Sequence, residues 1–343
     1  MTTILARAAL VGAAALACTL AGLGDEALAQ TTTLRFHTFV PPVSASFKNY
    51  SGWLKEIEDK AGGKLKVETY PSNQLGGKPE NLYQQAKDGV VDIVYTLPGY
   101  TPGVFPRTEV FELPFIGTSS IASSQAVQEF SAKYLVEEYK DVKPLVFHAP
   151  TPPQIHMKGK PIRTLEDLQG RKIRAPSAPV GDLVTALGGQ PVGIAGANIT
   201  EAMLRGVVEG MIFPWSIAQG NKVIDAADTH TNPLIYNAVL MSVMNKRKYD
   251  GLPADVRKII DGHSGLPIAK RFGEQWTADD GPAIAHAKSL GHELIDLSAQ
   301  ERARWRVKAE PLVQKWADDM TKKGHPGKEM VDAARALVAK YER

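Results

Sequence analysis

Cysteine is nearly missing from this chain: of 343 residues a single one, Cys18, is a cysteine, and it lies in an N-terminal apolar run. No disulfide, thiolate nucleophile or cysteine-based metal site can therefore belong to the folded part of the protein. An excess of charge of one sign is missing too. Lys and Arg total 40 against 37 Asp and Glu, a net charge of +3 spread along the chain, which gives no footprint for nucleic acid. GxGxxG, P-loop and HExxH patterns are all absent. The eight histidines show no metal-ligand spacing, so neither a metal nor a cofactor is expected. Gly262-His263-Ser264-Gly265 resembles a nucleophile elbow, but Leu266 stands where a glycine is required and the segment reads as helix. No set of nucleophile, base and oxyanion donors emerges, which argues against a secreted α/β hydrolase.

What is present begins with an export signal. Arg7 precedes the apolar run from Ala8 to Leu23, and Ala27-Leu28-Ala29 forms a small-x-small pattern before Gln30. This reads as a signal peptide over 1–29, cleaved after Ala29. The run is rich in Ala and Gly and falls short of the roughly 18 to 20 strongly apolar residues of a membrane anchor. A lipoprotein reading would rest on Cys18, but Ala15 replaces the usual leucine three residues before it. With 43% hydrophobic and 22% charged residues, the remainder can bury a large core, and its length suggests two domains. An exported, cysteine-free protein of this size fits a bacterial periplasm.

Hydrophobic periodicity predicts strands at 34–40, 65–70 and 90–97, alternating with helices at 44–60 and 79–88. The pattern restarts after Pro150, with strands at 144–149, 154–158, 172–175, 190–194 and 211–215 and helices at 179–187 and 199–209. Asn198 with Glu201, and Ser298 with Glu301, are spaced as capping boxes. A long apolar strand is expected at 235–245, then helices from Pro253 to Lys288, at 299–322 and after Pro326. Pro267, Pro282 and Pro311 are expected to kink them. Alternating strands and helices imply parallel sheet, and two such halves joined by crossing strands imply a cleft.

One charge stands out. Arg174 ends the stretch LEDLQGRKIR on a short strand and is followed by the apolar or small residues APSAPVGDLVTALGG. A guanidinium cannot shed its proton, so one on a buried strand needs an anionic partner. That partner can be an Asp or Glu of the same chain, or the carboxylate of a ligand.

Several short segments carry a family resemblance through their order and spacing. They are Gln74-Leu75-Gly76-Gly77, Gly89 with Asp92, Leu113-Pro114-Phe115, Lys160-Pro161-Ile162, Leu165 through Arg174, Ala186-Leu187-Gly188, Gly206 through Gly210, and Met244-Asn245. Over nearly the whole mature length the chain resembles the solute receptors of TRAP (tripartite ATP-independent periplasmic) transporters, related to C4-dicarboxylate-binding periplasmic proteins. The resemblance implies an α/β fold: a two-domain periplasmic-binding-protein clamshell with mixed sheets, crossing hinge strands and long hinge helices. It divides the chain into 30–151 with 240–279 as the first domain and 152–239 with 280–343 as the second. The ligand cleft would lie between them. It implies a monomeric receptor that delivers an organic acid to a membrane permease of one small and one large subunit, and Arg174 as the residue that grips the ligand carboxylate.

The chain departs from the sialic-acid-type members at two polar positions. Gln154 stands where they carry a second arginine, and Phe213 where they carry an asparagine before proline. A highly hydroxylated sugar acid would leave buried polar groups unmet here. One arginine beside Phe213 and Trp215 suits an apolar or aromatic monocarboxylate instead, with Gln154 or His156 available for a second oxygen such as a 2-oxo group. Phe213 and Trp215 equally suit plain core packing, and His156 a satisfied strand histidine. Phe39 is expected in the cleft wall, with Tyr95 and Tyr236 as further candidates. A C4-dicarboxylate or other organic acid, or presentation of the ligand to a membrane sensor, stays open as an alternative.

Overall fold

The computed structural model describes residues 31–194 and 199–343, so the expected signal peptide and Asn198 lie outside the described residues. The strands are β1 (Thr32–Thr38), β2 (Leu65–Tyr70), β3 (Ile93–Thr96), β4 (Val142–His148), β5 (Gln154–Met157), β6 (Lys172–Ala175), β7 (Gln190–Gly193), β8 (Gly210–Phe213), β9 (Thr229–Asn232), β10 (Leu240–Asn245) and β11 (Glu293–Asp296). They form two sheets, ordered β2-β1-β3-β10-β4 and β11-β9-β5-β8-β6-β7. Both are mixed: β1 runs parallel to β2 and β3, while β10 runs antiparallel to β3 and β4. In the second sheet β6 is parallel to β7 and β8, and β5 is antiparallel to β8 and β9.

The chain passes from the first sheet to the second between β4 and β5, and returns between β9 and β10. Every residue of β10 is buried, as befits a strand with a neighbour on each side and helices on both faces. Helix Ala45–Lys60 covers the first sheet with Tyr50, Trp53, Leu54 and Ile57, and the Ser44 hydroxyl accepts a hydrogen bond from the Phe47 amide at its start. Helix Leu266–Ser289 touches both lobes and helps join them. Its Ala269, Phe272 and Trp276 enter a core shared with Leu34, Phe36 and Tyr50, and its Ala283 and Ala287 enter the cluster of Phe213, Trp215 and Val223.

Several expectations are corrected. The strand placed at 235–245 exists only as Leu240–Asn245, because residues 235–239 cross between the sheets and have no ladder neighbour. The strand placed at 211–215 stops at Phe213: Pro214, which lacks an N–H, caps the helix Trp215–Gly220. The helix placed at 199–209 ends at Leu204, ahead of Gly206 with φ of 72°. Helix Ser120–Tyr134 was not anticipated, since its buried face is made of Ser and Ala as much as of large apolar residues. The last helix, Gly327–Tyr341, lies against Ser120–Tyr134 on the first lobe rather than with the second. Lys340 pairs there with Glu129 at 2.7 Å and Lys133 with Glu329 at 3.0 Å, beside a core cluster that Met330, Ala334 and Val338 share with Ala126 and Phe130. Ser298 caps Ala299–Lys322 as its spacing predicts, accepting from the Glu301 amide.

Candidate ligand site between the lobes

Arg174 sits on β6 opposite Val192 of β7 and Met211 of β8. Only 1% of it is exposed. Its Nε donates to the Ile194 carbonyl at 2.8 Å and its Nη1 to the Ile212 carbonyl at 3.4 Å, while Nη2 is buried with no hydrogen-bond partner. The guanidinium stacks over the Phe213 ring, 4.2 Å from its centroid. Arg171, three residues earlier, pairs with Glu209 at 2.8 Å, whereas Arg174 forms no ion pair among the described residues. Burial pushes its pKa down, and the neighbouring Tyr100 and Tyr236 oppose that shift. Two backbone carbonyls and two phenols do not neutralise a full positive charge, so the arrangement holds a cation ready for an anion.

The cavity next to the guanidinium has walls from both lobes. Phe39, Leu97 and Tyr100 come from the first; Phe213, Pro214, Ile217 and Asn221 from the second; Pro150, Tyr236 and Ala238 from the crossing segments. The cavity between them is about 40 Å³ and its lining is mainly apolar. Burial and the nearby Glu112 push the Tyr236 phenol far up, so it stays neutral. Arg174, Phe39, Phe213 and Tyr236 are thus brought together. Tyr95 stacks on Phe39, with ring centroids 6.1 Å apart, and lines a smaller adjoining cavity. The sequence pattern predicts a strand ending at Leu97 and assigns nothing to Pro98 and Tyr100. Tyr100 escaped notice because it reaches Arg174 from a short turn, Pro98–Tyr100, that carries no periodicity.

Gln154, His156 and Trp215 lie off the cavity wall. Gln154 donates to the Pro152 carbonyl at 3.1 Å. His156 has both ring nitrogens occupied: Nε2 meets the Phe213 carbonyl at 3.0 Å and Nδ1 meets Nδ1 of His230 at 2.7 Å. His230 Nε2 in turn meets His292 Nδ1 at 3.0 Å. A carbonyl only accepts, so His156 Nε2 carries a proton, and with neutral rings the direction of the rest follows. His156 donates to Phe213, His230 donates to His156, and His292 donates to His230. Burial keeps the first two rings neutral, holding His156 at about 4 and His230 at about 3. Trp215 packs edge-on against His156 and tilts over His230, at 5.2 and 4.7 Å between centroids. These residues support Phe213 from behind and leave no group of His156 for a ligand oxygen.

The elbow-like segment holds no catalytic pair. Ser264 donates to the Ile260 carbonyl at 2.7 Å and His263 Nδ1 to the Ile259 carbonyl at 2.8 Å, both within one helix end. Where the lobes meet beside the cavity, Ser177, just past β6, donates to Glu112 Oε2 at 2.5 Å. Burial pushes the Glu112 carboxyl up, against the hydrogen bonds from Ser177 and the Val239 amide. Gly99 of the first lobe passes so close that a Cβ there would stand 2.7 Å from Ser177 Cβ.

Two α/β lobes crossed by the chain, with a buried cation facing an apolar cavity between them, define a solute receptor of the clamshell class. The chain belongs to the bacterial extracellular solute-binding proteins, family 7, whose family model matches residues 36–319. It is a TRAP solute receptor and not an enzyme. A TRAP solute-binding protein from Rhodoferax ferrireducens T118, solved with copurified benzoate, is 38% identical, with a TM-score of 0.89 over 91% of this chain and 99% of that one. A marine-metagenome TRAP solute-binding protein specific for aromatic acid ligands, solved with 3-hydroxybenzoate, is 36% identical, with a TM-score of 0.89 over 91% and 99%. The C4-dicarboxylate-binding periplasmic protein DctP of Rhodobacter capsulatus is 28% identical over 96% of this chain and 97% of its own. No helix among the described residues is long and apolar enough to cross a membrane.

Proposed function

We propose that this protein is the periplasmic receptor for an organic monocarboxylate with an aromatic or otherwise apolar body, possessing at most a small second polar group, and that it hands the acid to a TRAP membrane permease of one small and one large subunit. The observation that carries this reading is Arg174: buried, without a carboxylate partner, stacked on Phe213 and facing walls of Phe39, Ile217 and Tyr236. Its planar fork matches a carboxylate, and the apolar walls strengthen the pair by excluding water. The similar structures solved with benzoate and 3-hydroxybenzoate support the same class of ligand. Closure of the lobes follows as a population shift toward the state in which the acid touches both.

The test is titration calorimetry with benzoate, 2-oxo acids and succinate. An aromatic or apolar monocarboxylate is expected to bind, and Arg174→Ala to weaken it by about 3–5 kcal/mol, the cost of breaking a buried charge pair. Tight binding of succinate with no response to monocarboxylates, or unchanged affinity in the variant, would overturn the proposal.

A further inference from the structure

The cavity at Arg174 does not end at Phe39. A second, smaller chamber adjoins it, and the two share Phe39, Ile217 and Asn221 as a common wall. Beyond that wall the lining turns to hydroxyl groups, those of Ser44, Ser46, Tyr95 and Ser216. Both lobes contribute, since Gly220 brings the second lobe within 3.4 Å of Ser44 Cβ, measured from where its own Cβ would stand. We infer that the two chambers, with the Phe39 ring between them, form one elongated site for an aryl carboxylate bearing an uncharged hydroxyl at the end remote from its carboxylate. Ser46 and Tyr95 receive that hydroxyl. This inference rests on the function proposed above.

The chemistry of the far chamber is what selects the group. Ser44 already donates to the Pro41 carbonyl at 2.7 Å and accepts from the Phe47 amide, so it is spoken for. Ser46 and Tyr95 bond to each other, and a hydroxyl pair of this kind retains lone pairs for an incoming donor. No cation lines the chamber, and Arg174 is the one cationic side chain among the described residues lining the two. Ser216 donates its amide to the Asp280 carboxylate at 3.1 Å, so a second anionic group would be drawn from water toward a buried acid with nothing to pair it. A neutral hydroxyl meets neither penalty. Dicarboxylates are therefore rejected at the far end even though Arg174 would accept either of their carboxylates.

Calorimetry decides the matter with benzoate, 3- and 4-hydroxybenzoate, 4-hydroxyphenylacetate and terephthalate. At least one hydroxylated acid should bind about tenfold tighter than its unsubstituted parent, the worth of one well-made neutral hydrogen bond. Ser46→Ala should erase that advantage and leave benzoate within about twofold; Tyr95→Phe provides the same reading should the first variant fold poorly. Terephthalate should bind more weakly than benzoate. A hydroxyl that brings no gain, a variant that weakens benzoate equally, or preferred binding of terephthalate overturns the inference while the receptor reading stands. Failure of every acid, benzoate included, overturns both.

Discussion

Acid should loosen this protein through its buried histidines, and the size of the effect can be worked out. His148, His156 and His230 are each no more than 1% exposed. His148 accepts from the Trp276 indole at 3.0 Å on Nδ1, so its Nε2 carries the proton and donates to the Tyr50 hydroxyl at 2.6 Å. Burial holds His148 at about 3, His156 at about 4 and His230 at about 3, all below the ordinary 6.5. Between pH 6.5 and about 4 the unfolded chain binds a proton at each site and the folded protein does not. Stability from these groups is therefore complete above pH 6.5 and is lost as the pH falls through that window. Each site contributes a slope of about 1.4 kcal/mol per pH unit, hence about 2 kcal/mol each by pH 5 and about 6 for the three. Glu109 works in the opposite direction. Burial and the nearby Glu112 and Glu138 push it up to about 7, so it favours the fold as the pH drops, by a smaller amount because it is part-exposed. Comparison with a variant cancels that opposing effect. Urea unfolding of the protein and of His230→Gln at pH 7 and pH 5 should show the variant losing about 2 kcal/mol less across the interval. An identical loss in both proteins would refute the assignment of neutral, buried rings.

Two glycines yield further tests. Gly99→Ala would set a methyl 2.7 Å from Ser177 Cβ and 3.4 Å from Glu112 Oε2 across the lobe boundary. Calorimetry should show ligand affinity reduced by about 1–3 kcal/mol, the range for overpacking, with thermal unfolding of the ligand-free protein little changed; a drop in melting temperature with affinity intact would contradict the lobe-contact reading. Gly273→Ala would set a methyl 2.7 Å from Ile121 Cα and 3.0 Å from the Ser120 carbonyl, backbone that cannot swing aside. It should lower stability in urea by about 1–3 kcal/mol despite the better helix propensity of alanine, and a stabilised variant would refute that close helix approach.

Arg174 was legible in the sequence because a permanent charge inside an apolar strand is a conflict that only a partner resolves. Phe39, Phe213 and Tyr236 were named beside it by comparison with the family pattern, and all three line the cavity next to Arg174. His156 stays open in the sequence between a ligand contact and a satisfied strand histidine for a physical reason: its partner His230 is 74 residues away, and strand pairing, which sets Ile155 opposite Thr231, is what brings the two rings together. Tyr100 and the far chamber were invisible, since a turn residue and a few serines carry no pattern until the lobes bring them to one wall. Helix Ser120–Tyr134 is hidden in the sequence by its small buried residues, Ser120, Ala122, Ser123, Ser124 and Ala126.

The long helix Leu266–Ser289 has a mechanical consequence. Trp276 is fastened to the first lobe through His148, and Asp280, one turn later, to the second through Ser216. Gly281 and Pro282 follow at once, and the proline leaves the Ala278 carbonyl without its helical N–H. A helix tied to both lobes within one turn, with its ladder broken just past the second tie, concentrates any bending between the lobes at that point.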